Sequence, residues 1–155
     1  GKTSASAHLE LSRPKKPILC LDFDGVCHSY VSGWQGIGVC PDPPVPGLFR
    51  FLEKAMQVFE VHIHSSRSSE RAGREAMASW FMKEYESWLN EPPGKTRSEK
   101  VFAFIRTLHF PEHKPSAMVT LDDRAVTFTG KWPRVMELVD FHPWHVKQEQ
   151  QKEGV

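Results

Sequence analysis

Asp22 and Asp24 stand two residues apart at the end of an apolar run, Ile18-Leu19-Cys20-Leu21, and Gly25 follows them. An apolar strand gains nothing from two acids at its tip. A polar turn is the plainer account, because Asp and Gly are common in turns. A second pair weighs against it. Asp122-Asp123 closes another apolar run, Ala117-Met118-Val119-Thr120-Leu121. Between the two pairs, Val58-Phe59-Glu60-Val61-His62-Ile63-His64 reads as a strand that ends in Ser65-Ser66-Arg67-Ser68, and Lys114 precedes the last strand. Clustered carboxylates repel unless a cation or a shared proton neutralises them. An all-oxygen set with few protein ligands suits Mg²⁺, which keeps several waters and a substrate phosphate. The chemistry expected is that of a divalent cation beside an anionic group; the alternative is a solvated acidic rim that binds nothing specific.

Such a rim needs strands that end together. The unbroken apolar run before Asp22 suits a strand buried on both faces of a parallel sheet. Strands alternate with helical periodicity, which implies a parallel sheet joined by right-handed crossovers. Parallel strands share one carboxyl edge, and that edge is where open α/β sheets bind ligands. The tips at Asp22/Asp24, Ser65 and Asp122/Asp123 would gather there, with Lys114 reaching over them.

The rest of the chain supplies the scaffold. Residues 27–40 read as a β-hairpin turning through Ser32-Gly33-Trp34-Gln35-Gly36, with Trp34 either exposed at the tip or folded back onto the body. The proline-rich stretch 41–47 is a stiff connector. Helices are expected over 48–57, 71–89, 98–106, with Ser98 as N-cap, and 132–138. Short strands are expected at 108–110 and, along an edge, at 139–141. His62 and His64 alternate onto one face of their strand and read as packing or hydrogen-bonding groups rather than a metal pair. Residues 1–16 read as a flexible basic tail, 17–147 as one α/β domain and 148–155 as a frayed end.

Composition narrows the classes further. The chain has 155 residues, 39% hydrophobic and 25% charged, with a formal net charge of +1. These values fit one soluble domain and supply no global field for nucleic acid or membrane. No apolar run approaches the ~18 residues of a membrane span, and the start lacks the apolar core of a secretory signal. Cys20, Cys27 and Cys40 cannot all pair within the chain and lack zinc-site spacing. A reduced, cytoplasmic setting is expected.

The four strand-tip groups, in order, resemble the motifs of the haloacid dehalogenase superfamily of phosphotransferases. Asp22-Phe23-Asp24-Gly25-Val26 is similar to the first motif, Ser65 to the second, Lys114 to the third and Asp122-Asp123 to the fourth. More narrowly, Ser-Gly-Trp, the proline-rich connector, Ser-Ser-Arg-Ser and Asp-Asp-Arg-Ala look like small phage and bacterial members. Some relatives of those resemble the phosphatase half of polynucleotide kinase-phosphatases. The resemblance implies a three-layer Rossmann-like sheet, an Asp22 nucleophile that becomes an aspartyl-phosphate, and Asp24 as general acid and base with a raised pKa. It implies Ser65 or Ser66 on the phosphoryl oxygens and Lys114 offsetting charge. Mg²⁺ would be held by Asp22, the Asp24 carbonyl, and Asp122 or Asp123. Arg67 and Arg124 would hold a second phosphate or pair with nearby acids.

Members of that superfamily often carry a lid domain, and neither the stretch after Asp24 nor the one after Arg67 has room for one. The expectation is a phosphatase with no large cap, its rim open to a phosphorylated nucleic-acid end or a nucleotide. Trp34 would be placed to stack a base. The rivals are a non-catalytic module that binds a phosphorylated partner and a transferase to an acceptor other than water.

Overall fold

The structure is a computed structural model that describes residues 15–146. The expected basic tail therefore lies almost wholly outside the described residues, and the frayed end 148–155 lies entirely outside them.

Four strands form one all-parallel sheet: β1 (Ile18–Leu21), β2 (Glu60–Ile63), β3 (Leu108–His109) and β4 (Val119–Leu121), in the spatial order β3-β2-β1-β4. The α/β architecture is as expected. Helix α1 (Leu48–Val58) carries the chain from β1 to β2, and α2 (Arg71–Leu89) and α3 (Lys95–Thr107) carry it from β2 to β3. A short α4 (Val135–Val139) follows β4 and buries none of its residues.

Alternation along the strands decides which face is packed. Leu19, Leu21, Val61, Ile63 and Leu108 share one face and join Leu48, Phe49, Leu52 and Ala55 of α1, Met77, Trp80 and Phe81 of α2, and Phe104 of α3 in a single core. Phe49 touches Tyr85 and Trp88 of α2 and Phe104 of α3, so the three helices lie side by side on that face. Each fully buried Leu, Ile or Phe contributes ~1.5–3 kcal/mol. The opposite face carries the cross-strand row His109, His62, Cys20, Thr120. None of these four residues belongs to the core that the three helices pack.

Helix ends follow local chemistry. Asn90 adopts φ 52°, a left-handed stop before Pro92-Pro93. α3 begins at Lys95, straight after Gly94, and Ser98 donates its N–H to the Gly94 carbonyl inside the helix (3.1 Å). Ser98 is thus not the cap. Residues 139–141 form no strand; α4 runs through Val139 instead.

The β-hairpin expected at 27–40 is not formed. The segment is an irregular loop held by side chains. Ser32 donates N–H and Oγ–H to the Asp42 carboxylate (2.9 and 2.5 Å), and Trp80 Nε1 donates to the Asp42 carbonyl (3.0 Å). The only ladder-like contacts are isolated bridges of His28 with Asp24 and Pro44. Polar anchors and prolines stand in place of the strand ladder expected from the two short extended runs about the glycine-rich turn. No helix of the described residues is long and apolar enough to cross a membrane.

Candidate functional site

Register brings the tips together. Leu21 stands opposite both Ile63 and Leu121, so the next residues, Asp22, His64 and Asp122, emerge at one level. The ladder continues one bond further: Asp22 N–H donates to the Leu121 carbonyl (2.9 Å) and His64 N–H to the Leu21 carbonyl (3.0 Å). An open hollow of ≈ 470 Å³ lies over this edge, and Asp22, Asp24, Tyr30, Trp34, His64, Ser65, Ser66, Asp122 and Arg124 line it.

Asp22, Asp122 and Asp123 each offer an oxygen to a cluster whose atoms all lie within 4.8 Å of one another. Burial, and then the contact with Asp123, pushes the Asp22 carboxyl up to about 8, so without a cation it holds a proton at neutral pH. Asp123 presents one oxygen to His145 Nε2 (3.0 Å), while its Oδ1 is buried with no partner among the described residues. Asp122 Oδ1 accepts the Arg124 N–H (2.8 Å), which fixes the turn at the tip. A proton-retaining carboxyl beside an orphaned buried carboxylate oxygen is a site that lacks positive charge. A hard divalent cation such as Mg²⁺ fits this donor set.

Gly25 explains how Asp123 comes so near β1. It has φ +85°, and a Cβ there would meet Asp123 Oδ2 at 2.3 Å. Any other residue would be strained and would displace the acid.

Asp24 departs from the expected raised pKa. Burial alone would raise it, but hydrogen bonds from His28 and Arg67 outweigh that and hold the carboxyl below its ordinary range. Arg67 donates Nε–H to Asp24 Oδ2 (2.9 Å) and Nη2–H to Oδ1 (3.2 Å). The Asp42 N–H donates to His28 Nε2 (3.0 Å), so the proton of a neutral His28 sits on Nδ1 and is donated to Asp24 Oδ1 (2.8 Å). Asp24 is ionised and doubly held.

The sequence-based candidates divide accordingly. Asp22, Asp24, Ser65, Ser66, Asp122, Trp34 and Arg124 line the hollow, with Asp123 beside it. Arg67 does not line it. Its side chain is fully buried, Nη1 donates to the Gly36 and Ile37 carbonyls (3.0 and 2.8 Å), and Trp34 covers it, with Arg67 Cζ 4.7 Å from the indole centroid. The guanidinium has no face left for a substrate phosphate. Trp34 has folded back onto Arg67 yet stays 51% exposed, which combines the two expectations. Lys114 is exposed, does not line the hollow and makes no ion pair among the described residues.

Ser65 Oγ accepts the Arg67 N–H (3.1 Å), and Ser65 N–H donates to Ser68 Oγ (3.0 Å); Glu70, not a serine, precedes α2. His28, Tyr30, Asp42 and His145 carry no functional expectation from the sequence, and His64, expected only to pack or hydrogen-bond, lines the hollow. His28 had a usable signal, lying four residues after Asp24. His145 had none. Tyr30 adopts φ 63° at the rim, a conformation costly for a non-glycine residue and often found at functional sites.

No family model matches the chain, and no curated protein or solved structure does either.

Proposed function

We propose that this chain is a Mg²⁺-dependent phosphomonoester hydrolase of the haloacid dehalogenase type, acting through an aspartyl-phosphate on Asp22. The observation that carries this reading is the convergence of the Asp22, Asp122 and Asp123 oxygens within 4.8 Å at the carboxyl edge of a parallel sheet. The order of the motifs along the chain supports it, and so does the open hollow beside Ser65 and Ser66.

Asp22, the Asp24 carbonyl, and Asp122 or Asp123 would hold the ion. When bound, Mg²⁺ neutralises the acids and stabilises the equatorial phosphoryl oxygens. The remaining work belongs to the side chains. An Asp22 oxygen attacks phosphorus, the bond to the leaving oxygen breaks, and an acyl phosphate forms. Ser65 or Ser66 donates a hydroxyl hydrogen bond to the phosphoryl group. Lys114 offsets its charge after swinging over the rim. Water then attacks the phosphorus, and the Asp24 carboxylate takes the proton as Asp22 is released. An ionised Asp24 is ready for that second step. It gives a departing oxygen no proton in the first, so leaving groups of low pKa are favoured. Trp34 and Tyr30 flank the hollow and suit the base of a nucleotide or of a phosphorylated nucleic-acid end.

One observation favours a second reading, a non-catalytic module that binds a phosphorylated partner: the Asp24 carboxylate is committed to Arg67 and His28. Hydrolysis of an aryl phosphate, with and without Mg²⁺, decides between the two. Turnover is expected only with Mg²⁺, and Asp22→Asn is expected to lower it on the order of 10⁴-fold or more. Turnover that survives the substitution defeats the mechanism. Binding of the ester without hydrolysis points to the module.

A further inference from the structure

We propose that Glu60, His62 and His109 form a site for a transition-metal ion of the Zn²⁺ class, separate from the acidic rim. His62 and His109 are register partners on β2 and β3, so their rings stand side by side on the face turned away from the helix-packed core. Glu60 lies two residues before His62 and shares that face. The ring centroids are 4.6 Å apart with planes at 13°. Glu60 Oε1 is 3.1 Å from His109 Nε2 and 3.7 Å from His62 Nε2. Bonds of 2.0–2.1 Å around a tetrahedral ion put neighbouring ligand atoms about 3.3 Å apart, and the two observed separations bracket that edge. Turning the rings out of their stack aims both Nε2 atoms at one point.

Two further observations point to a ligand. Among the described residues both ring nitrogens of His62 are buried without a hydrogen-bond partner, and a metal at Nε2 gives one of them a partner. Glu60 forms its ion pairs among the described residues with these two imidazoles and no others. Lys15 and Lys16 line a hollow with Glu60, but Lys16 Nζ donates instead to the Met56 carbonyl (2.8 Å). Glu60 and His109 are 38% and 45% exposed at the side chain, which gives an ion a way in and leaves a coordination position for water.

Two imidazoles and one carboxylate select Zn²⁺ and its neighbours, whereas an all-oxygen rim selects Mg²⁺. The two sites would sort different ions by ligand softness. Glu60 sits four residues before His64, about 13 Å along the strand from the rim. A bound ion would staple β3, only two residues long, to β2.

The test is equilibrium dialysis of the whole chain against Zn²⁺ in excess Mg²⁺, which occupies the acidic rim. One retained equivalent is expected in the unaltered chain and in Asp122→Asn. His109→Ala and Glu60→Gln are each expected to weaken retention about tenfold or more. Circular dichroism checks that each variant is folded, and if His109→Ala is not, Glu60→Gln decides alone. Absence of Zn²⁺ from the unaltered chain overturns the proposal, as does undiminished retention by a folded variant. Neither result bears on phosphate hydrolysis, which rests on other residues.

Discussion

Arg67 is a cation with no water contact at its side chain, divided between Asp24, two backbone carbonyls and the face of Trp34. Removing one partner of a buried pair strands the other. Arg67→Met should therefore lower stability by ~3–5 kcal/mol in urea denaturation, and adding Asp24→Asn should recover part of the loss. The pH dependence has a definite sign. The Asp24 carboxyl titrates lower in the folded chain than unfolded, so it stabilises above the unfolded value near 4 and loses that contribution as pH falls through the folded one. Arg67→Met should flatten this acid limb. Asp22, Asp24 and the Asp122-Asp123 pair could be picked out from the sequence because each acid ends an apolar run. The burial of Arg67 could not. An arginine between serines in a turn reads as solvated, and its carbonyl partners, Gly36 and Ile37, lie about thirty residues away.

Among the elements, α2 matches its expected limits at both ends, because its apolar spacing and the Asn90-to-Gly94 stop are local signals. The 27–40 loop shows the opposite case. Its two short extended runs flank a glycine-rich turn as hairpin strands do, yet among the described residues they form no ladder, and His28 and Ser32 bond to Asp42 beyond the loop instead. α3 starts three residues before the Ser98 expected to cap it, because Pro93-Gly94 already resets the chain there. One interior residue of α2 carries a prediction. A Cβ on Gly73 would lie 2.0 Å from the Arg67 carbonyl oxygen. Gly-to-Ala inside a helix ordinarily gains ~1 kcal/mol. Here the clash is with backbone, and overpacking typically costs ~1–3 kcal/mol. Gly73→Ala should thus lower the urea midpoint, and a raised midpoint would show that α2 can slide away from the turn.

At the scale of the whole molecule, stability and ion binding are linked through Asp22. Its folded carboxyl titrates near 8 when no cation is present, far above the unfolded value near 4. Between those values the folded chain keeps a proton that the unfolded chain releases, so stability without metal should fall as pH rises from about 4 to about 8. Saturating Mg²⁺ replaces that proton, and the fall should disappear. Urea midpoints across this range, with Mg²⁺ or with a chelator, test the linkage; a metal-free profile with no decline would mean that Asp22 is already ionised. The layout of the sheet adds a further point. Two of the three acids in the converging cluster follow β4, an outermost strand joined to β1 by three residue pairs and exposed along its whole length. An ion gripping both strands would act as a rivet through that narrow seam. Readiness for chemistry and the mechanical integrity of the edge would then rise and fall together.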